Sequence, residues 1–500
     1  MGERMSGTSF IDRHGLWGDV QRRQAEEIKL RLERDNLRFV RLVWSDSHGY
    51  ARAKLLTVPA FLSALSSGYN VNVATTTLDS AGARTFASFT PGGGMDLEEM
   101  TGSPNLTVVP DPGTFHVLPW APGVGWVLCD EYFNSGLPFH FSTRQLLRRQ
   151  IARLAERGQT LKVGLEIEWY LLRVAAGHLT EENIGTPGTR GKPIATWPAE
   201  PGYHYHSESN MDLMQPMLSL LGEACEAVGL PLRSIENEWG PGQVECTFAP
   251  ADALKAADSV LLFRTATRQL CRRHGYFATF MCRPRLPGYY SSGWHLHQSL
   301  ADARTGANLF MPEHEGDHLS ALGQGYLAGL LEHAVASTVF ATPTVNGYRR
   351  FRPNSLAPDR ATWAYDHRGV MVRVLGGVGD PATRLENRVG EPAANPYLYI
   401  ASQIAAGVAG IDGKLTLPPA DDAPYTAERQ MLPSDLTDAL DAMEAEPLFR
   451  RDFGDLFIDY YLKLKRTEAN RYLQSLELFD SAAPDDGPSE WEQNEYFDFF

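Results

Sequence analysis

Chemistry-bearing side chains recur as close pairs in four separated segments. Glu166 and Glu168 stand two residues apart in VGLEIEWYLL, and Glu238 and Glu245 flank a Gly-Pro-Gly turn in NEWGPGQVE. His295 and His297 alternate in SSGWHLHQSL, and Glu386 and Arg388 alternate in RLENRVGEP. On a strand, residues i and i+2 point to the same face. A carboxylate that loses water without gaining a partner is costly, so several converging on one face call for cations between them. Five glutamates and one imidazole make an oxygen-rich donor set, which suits Mg²⁺ or Mn²⁺ better than Zn²⁺.

The complementary cations lie downstream: Arg349, Arg350 and Arg352 in NGYRRFRP, Arg368 and Arg373 in DHRGVMVRV, then Arg384 and Arg388. Guanidinium forks match phosphate and carboxylate oxygens two at a time. Divalent metals with arginines describe a site for nucleotide phosphoryl transfer, where catalysis is mainly positioning and charge neutralisation. The P-loop pattern Gly-x-x-x-x-Gly-Lys-Ser/Thr does not occur, which excludes the commonest nucleotide fold. Alone, each pair has a plainer reading: a satisfied core histidine pair, a solvated strand face, surface ion pairs. A His-x-His strand also occurs in metal-dependent hydrolase barrels, but those need further histidines and an aspartate, and the partners here are glutamates.

Elements that could position these residues can be read from local pattern. Residues 18–35 are rich in charged helix formers, and LRFVRLVWSD alternates as a strand does. Strands are expected at 105–109, 114–119 and 125–132, separated by Pro/Gly turns. In STRQLLRRQIARLAERG, Ser142 is expected as N-cap with Gln145 closing a capping box. Beyond it, strands are expected at 160–172, 232–237, 243–248, 277–282, 294–300 and 384–390, and helices near 211–229, 250–274, 317–341 and 453–475. The stretch 184–202 reads as a long loop. The expected organisation is a helical extension over 1–34, a β-rich domain over 35–135 and a larger domain over 136–500.

Composition sets the outer bounds. With 43% hydrophobic residues over 500 positions the chain can bury a large core. Its 46 Lys+Arg against 61 Asp+Glu give a formal charge of −15, which repels polyanions and disfavours nucleic acid and anionic membrane as partners. No apolar run approaches the roughly 20 residues of a membrane-spanning helix, and the first residues show no signal-peptide pattern, so a cytoplasmic protein is expected. Cys129, Cys225, Cys246, Cys271 and Cys282 are sparse and never spaced Cys-x-x-Cys, so neither a disulfide framework nor a thiolate zinc site is expected.

In this order the motifs resemble the glutamine synthetase family, from about Leu37 to the C-terminus. The resemblance rests on Glu-x-Glu, Glu-x(2)-Pro-Gly-Gln-x-Glu, Gly-x-His-x-His-x-Ser-Leu, Asn-x-Tyr-x-Arg-x-x-x-Pro and Arg-x-Glu-x-Arg…Ala-Ala-Asn-Pro-Tyr. It implies an α+β fold: an N-terminal β-grasp domain, then a catalytic domain whose antiparallel sheet curves into a partial barrel flanked by helices. It implies one metal held by Glu168, Glu238 and Glu245 and another by Glu166, His295 and Glu386. His297 and Ser299 would border ATP, Arg368 and Arg373 the transferred phosphate, and Arg350 and Arg388 the glutamate carboxylate. Ser291 and Gly293 would line the glutamate pocket. The assembly implied is two stacked hexameric rings, with Asp46 donated to a neighbouring copy's site.

Two departures bear on the reaction. Where ammonia-using members read Gly-Tyr-Glu-Ala-Pro, this chain reads Asn354-Ser355-Leu356-Ala357-Pro358, so the glutamate that would bind and deprotonate ammonium is Leu356. The Asn-Gly that usually precedes Ser-Gly-x-His is Tyr290-Ser291. The activity expected is an ATP-dependent ligation of glutamate to an organic amine, aromatic or short alkyl, by way of γ-glutamyl phosphate. A polyamine acceptor, ammonia itself, and a catalytically silent homologue are the other readings.

Overall fold

In the computed structural model, the residues described are 9–175, 177–286, 288–478 and 487–500. The first eight residues of the expected helical extension lie outside them. The chain forms two compact units. One gathers the residues up to Leu78, Phe86–Gln145 and Ala227–Gly229; the other gathers Asp79–Thr85, Leu146–Glu226 and Leu230–Phe500.

The first unit is built on a mixed sheet of β1 (Phe39–Ser45), β2 (Ala51–Thr57), β3 (Tyr69–Asn72), β4 (Asn105–Pro110), β5 (His116–Val117) and β6 (Val124–Tyr132). Its order is β2-β1-β6-β4-β3, with β1 and β6 parallel and β5 paired to β6. Helix Asp19–Arg34, expected from its sequence, buries Ala25, Ile28 and Leu32. Sequence pattern did not reveal β2 or the helix Val58–Ser67. β2 is an edge strand that leaves Ala53, Lys54 and Leu55 exposed, so it lacks the one-sided burial that makes a strand legible. The expected capping box at Ser142 does not form. The Ser142 N–H donates to the Phe139 carbonyl, and Gln145 Nε2 donates to the Glu131 carbonyl at 2.9 Å.

The second unit carries β7 (Gln159–Val174), β8 (Thr196–Pro198), β9 (Leu232–Asn237), β10 (Gln243–Asp252), β11 (Tyr276–Thr279), β12 (Trp294–Asp302), β13 (Trp363–Tyr365), β14 (Val372–Leu375) and β15 (Arg384–Asn387). They run β13-β14-β15-β12-β7-β10-β9, with β8 and β11 also on β7, in a sheet curled into a half-barrel. All pairs are antiparallel except β13 with β14. β7 is the axis. Val163, Leu165, Ile167 and Trp169 are buried on one face, and Glu166 and Glu168 stand between them on the other. Helices Ala253–Arg273 and Pro396–Asp412 lie among those flanking this core, with Trp294 of β12 meeting Tyr399 edge-on at 5.1 Å. The single helix expected over 317–341 is two, Ala321–Glu332 and Ala334–Ala341, broken at His333. The strand expected to reach residue 390 stops at Asn387, because the next three carbonyls turn toward Arg350. No described helix is long and apolar enough to cross a membrane.

Candidate active site

Strand register gathers the polar pairs. Glu166 on β7 lies opposite His295 on β12, and Glu168 lies opposite Glu245 on β10. His297 lies opposite Gly164 on one side and Glu386 of β15 on the other; Glu386 in turn faces Arg373 of β14. One face of the half-barrel therefore carries Arg373, Glu386, His297, His295, Glu166, Glu168 and Glu245. Gly164 makes room in this row, since a Cβ there would meet the His297 Cβ at 3.2 Å.

Glu166 is held by both histidines, at 2.6 Å from His295 Nδ1 and 3.0 Å from His297 Nε2. Arg384 Nε donates to His297 Nδ1 at 3.1 Å, which leaves the proton on Nε2 facing Glu166. Arg350 Nη2 stands 3.4 Å from His295 Nε2, on the side of the ring away from Glu166. Burial and the nearby Arg388 guanidinium lower the His295 pKa to about 4, so the ring is neutral, as a metal ligand must be. Burial works against the charge of Glu166, but the two imidazoles outweigh it and its pKa is lowered.

Glu386 is fully buried, bonded to Arg388 Nη1 and, at 3.0 Å, to Arg373 Nη1. Burial would raise its pKa; the Arg388 charge overrides that and holds it low. Glu168, Glu238 and Glu245 behave oppositely. Desolvation raises all three; neighbouring carboxylates, Glu166 and Glu168 among them, raise Glu238 and Glu245 further, whereas Arg350 and the Gly293 N–H offset only part of the rise at Glu168. A row of buried carboxylates short of positive charge is the signature of a cation site. Among the described residues, two groups present ligand atoms within 4.8 Å of one another: Glu166, His295 and Glu386, and Glu168, Glu245 and His295. The first is the trio implied by resemblance. The second has His295 where Glu238 was expected; Glu238 stands at the end of the turn, outside both groups.

The remaining expected residues are distributed as follows. Arg373 is braced between Glu386 and Asp366, whereas Arg368 is exposed. Ser299 shares the face of His295 and His297 and is half-buried, as is Ser291. Gly293 is at the tightest point, since a Cβ there would lie 2.7 Å from Arg350 Nη2 and 2.9 Å from His295 Nε2. Arg350 is not an open fork. Buried, it donates to the carbonyls of Val389 (2.9 Å), Gly390 (3.0 Å) and Arg388 (2.7 Å). Leu356 is 52% exposed at φ +60°, and its carbonyl accepts from Arg388 Nη2 at 3.2 Å. In the first unit, the Asp46 carboxylate is engaged by its own turn, accepting from the N–H of His48 and of Tyr50 and from Arg52 Nε.

Sequence reading gave no role to Gln243, Glu200 or Glu236. Gln243 Nε2 bridges Glu168 and Ser292, each at 3.0 Å. Glu200, within the long loop, accepts the N–H of Gly202 and of Gly242 and so ties that loop to the Gly-Pro-Gly turn. Glu236 lies opposite Glu245 on β9. Only the Pro-Gly-Gln motif signalled the first of these.

Residues 140–482 match the model of the glutamine synthetase catalytic domain. The chain is 44% identical over 493 residues to a gamma-glutamylanilide synthase of Acinetobacter sp, covering 98% of each. It is 32% identical to the gamma-glutamylethanolamide synthetase GlnA4 of Streptomyces coelicolor, covering 78% of each. A solved GmaS/ADP complex superimposes with a TM-score of 0.72 at 27% identity, covering 90% of this chain and 96% of that one.

Proposed function

The chain belongs to the glutamine synthetase family, and from that premise we propose that it is an ATP-dependent ligase joining the γ-carboxylate of glutamate to an organic amine, aromatic or short alkyl. The observation that carries the choice of acceptor is Leu356. It is exposed at the position where ammonia-using relatives place a glutamate, while the carboxylate and imidazole row at the cation site is intact. Leucine neither binds ammonium nor takes its proton.

In this reading a γ-carboxylate oxygen of glutamate attacks the γ-phosphorus of ATP, releasing ADP and leaving γ-glutamyl phosphate. The amine nitrogen then attacks the acyl carbon, phosphate departs, and the nitrogen gives up a proton. Glu166, His295 and Glu386 would hold one divalent ion and Glu168, Glu245 and Glu238 another, Mg²⁺ or Mn²⁺ by the chemistry of the donors. Such ions neutralise phosphate charge and orient the transferred group. Arg373, braced by Asp366 and Glu386, and the exposed Arg368 would meet the phosphoryl oxygens; His297 and Ser299 would border the nucleotide. Arg388 would receive the glutamate carboxylate with Ser291 and Gly293, while Arg350 acts from behind by holding the 388–390 backbone and His295.

Family membership supports a dodecamer of two hexameric rings. Asp46 would then serve a neighbouring copy's site through the turn its carboxylate organises. Mixing Asp46→Ala with Arg373→Ala subunits and recovering activity in verified hybrids is the expected result; no recovery would mean each site is built within one chain. Five free, buried cysteines support a cytoplasmic setting.

The direct test is an amine screen followed by phosphate release with glutamate, ATP and Mg²⁺ present. Organic amines should outpace ammonium. Faster formation of glutamine than of any γ-glutamyl amide, at matched amine concentration, would make the protein a glutamine synthetase in the strict sense.

A further inference from the structure

Three large aromatic side chains lie half-exposed together in the second unit: Tyr205 at 46%, Trp239 at 40% and Tyr290 at 51%. The rings of Tyr205 and Trp239 are parallel to within 5°, with centroids 5.1 Å apart, and Tyr290 follows with its centroid 6.4 Å from Trp239. Exposed apolar surface gathered in one patch marks a binding site more often than chance.

The shelf is built into the cation site. Trp239 directly follows Glu238, and the Tyr205 hydroxyl, whose pKa is raised chiefly by burial, also feels Glu238, Glu245 and Glu236 and, in the opposite sense, Arg368. Tyr290 is two residues from Ser292, which Gln243 links to Glu168. Tyr170 donates its hydroxyl to the Tyr290 carbonyl at 2.6 Å. The loop bearing Tyr205 is clamped to the end of β9 and the turn bearing Trp239 by two backbone bonds, His206 N–H to Asn237 O at 3.1 Å and Tyr203 N–H to Trp239 O at 3.0 Å. The rings are therefore preorganised.

Position selects the occupant. The shelf adjoins the β9–β10 turn, whereas Glu386, His297, Arg373 and Arg384 occupy the β12–β15–β14 side across the row of glutamates. Phosphate groups belong with those arginines. Glu168 and Glu245 beside the shelf are committed to the cation site and so offer no free charge to an alkylammonium. Tyr205 is already stacked against His206, with ring centroids 3.8 Å apart, as well as against Trp239, so the faces left to favour a neutral, flat ring are those of Trp239 and Tyr290.

The geometry points to Trp239 and Tyr290, with Tyr205 stacked behind Trp239 as its support, as the platform on which the ring of an arylamine acceptor stacks, making these the residues that select aromatic over alkyl amines. This rests on the reading of the chain as a glutamate–amine ligase. The test compares kcat/KM for aniline and isopropylamine in the full-length enzyme and its Trp239→Leu, Tyr205→Leu and Tyr290→Leu variants, with KM for ATP and the rate with putrescine measured alongside. Loss of one stacking partner should lower the aniline-to-isopropylamine ratio about fivefold to tenfold. Tyr205→Phe should keep the ratio, because the ring and not the hydroxyl is used. An unchanged ratio in all three leucine variants overturns the proposal, as does a rise in KM for ATP, which would put adenine on the shelf, or a selective loss with putrescine, which would make it a cation site. Wild-type enzyme that turns over isopropylamine but not aniline also overturns it while leaving the ligase reading intact. Wild-type enzyme that joins glutamate to no amine overturns the ligase reading itself.

Discussion

Arg350 Nη2 lies 3.4 Å from His295 Nε2, and the same guanidinium donates to three backbone carbonyls just beyond β15. One side chain thus backs a candidate metal ligand and holds the end of the strand that bears Glu386.

Arg350→Ala is accordingly expected to destabilise the fold: the Arg388 carbonyl loses its guanidinium donor at about 1–3 kcal/mol, while the Val389 and Gly390 carbonyls keep bonds from Thr342 Oγ1 and the Trp294 N–H. Thermal unfolding should show a lowered midpoint even in the absence of substrates. Gly293→Ala should do similar damage by pushing a methyl against Arg350 and His295. A variant at Arg350 with unchanged unfolding and only a raised KM for glutamate would return this residue to the role of a free carboxylate fork.

Glu386→Gln tests the cation site. It keeps the shape but removes the charge shared with Arg373, Arg388 and His295. ATP turnover should fall at least about 100-fold and divalent-ion affinity should drop with it, read by titration calorimetry. Wild-type turnover would remove Glu386 from the metal assignment.

The pH dependence of the metal-stripped protein follows from the raised carboxylates. Glu168, Glu238 and Glu245 have folded-state values above the ordinary 4.5, so the folded state holds protons that the unfolded chain releases. Their contribution is fully present below pH 4.5 and is lost as pH rises. The lowered Glu166 and Glu386 act in the opposite sense only below that value, and the single His295, lowered to about 4, does so up to its ordinary 6.5, against three raised carboxylates. With chelator, the unfolding midpoint should therefore fall between about pH 5 and 8, and Mg²⁺ or Mn²⁺ should flatten the slope. Glu391, raised by burial to about 7 and outside both ligand groups, contributes to the slope in either condition, so the metal-dependent difference is the quantity to read. A slope unaffected by metal would count against cation binding at these glutamates.

Leu356→Glu should raise the rate with ammonium relative to the organic amine. Both residues bear the left-handed backbone equally, so the substitution changes the side chain's chemistry and not the local strain. Separating glutamine from the γ-glutamyl amide by chromatography in competition assays reads the ratio directly. No movement toward glutamine would detach Leu356 from the acceptor site.

Sequence by itself determined the faces. Alternation with period two, in VGLEIEWYLL and GWHLHQSL, obliges Glu166 and Glu168, and His295 and His297, to share a side once those segments are strands. Motif order was enough to indicate the family and the change at Leu356. Tertiary structure decided the partners. Glu166 meets His295 across 129 positions of chain, and Arg384 meets His297 across 87, through strand register that no local spacing encodes. The same holds for Arg350, whose charge reads as a ligand contact in sequence but which is turned inward to donate to three carbonyls of the backbone after β15. It holds too for Tyr205, Trp239 and Tyr290. They come from three segments, and their stacking depends on loop 202–206 closing along the end of β9, a contact set by backbone hydrogen bonds and carrying no periodic pattern that a sequence could display.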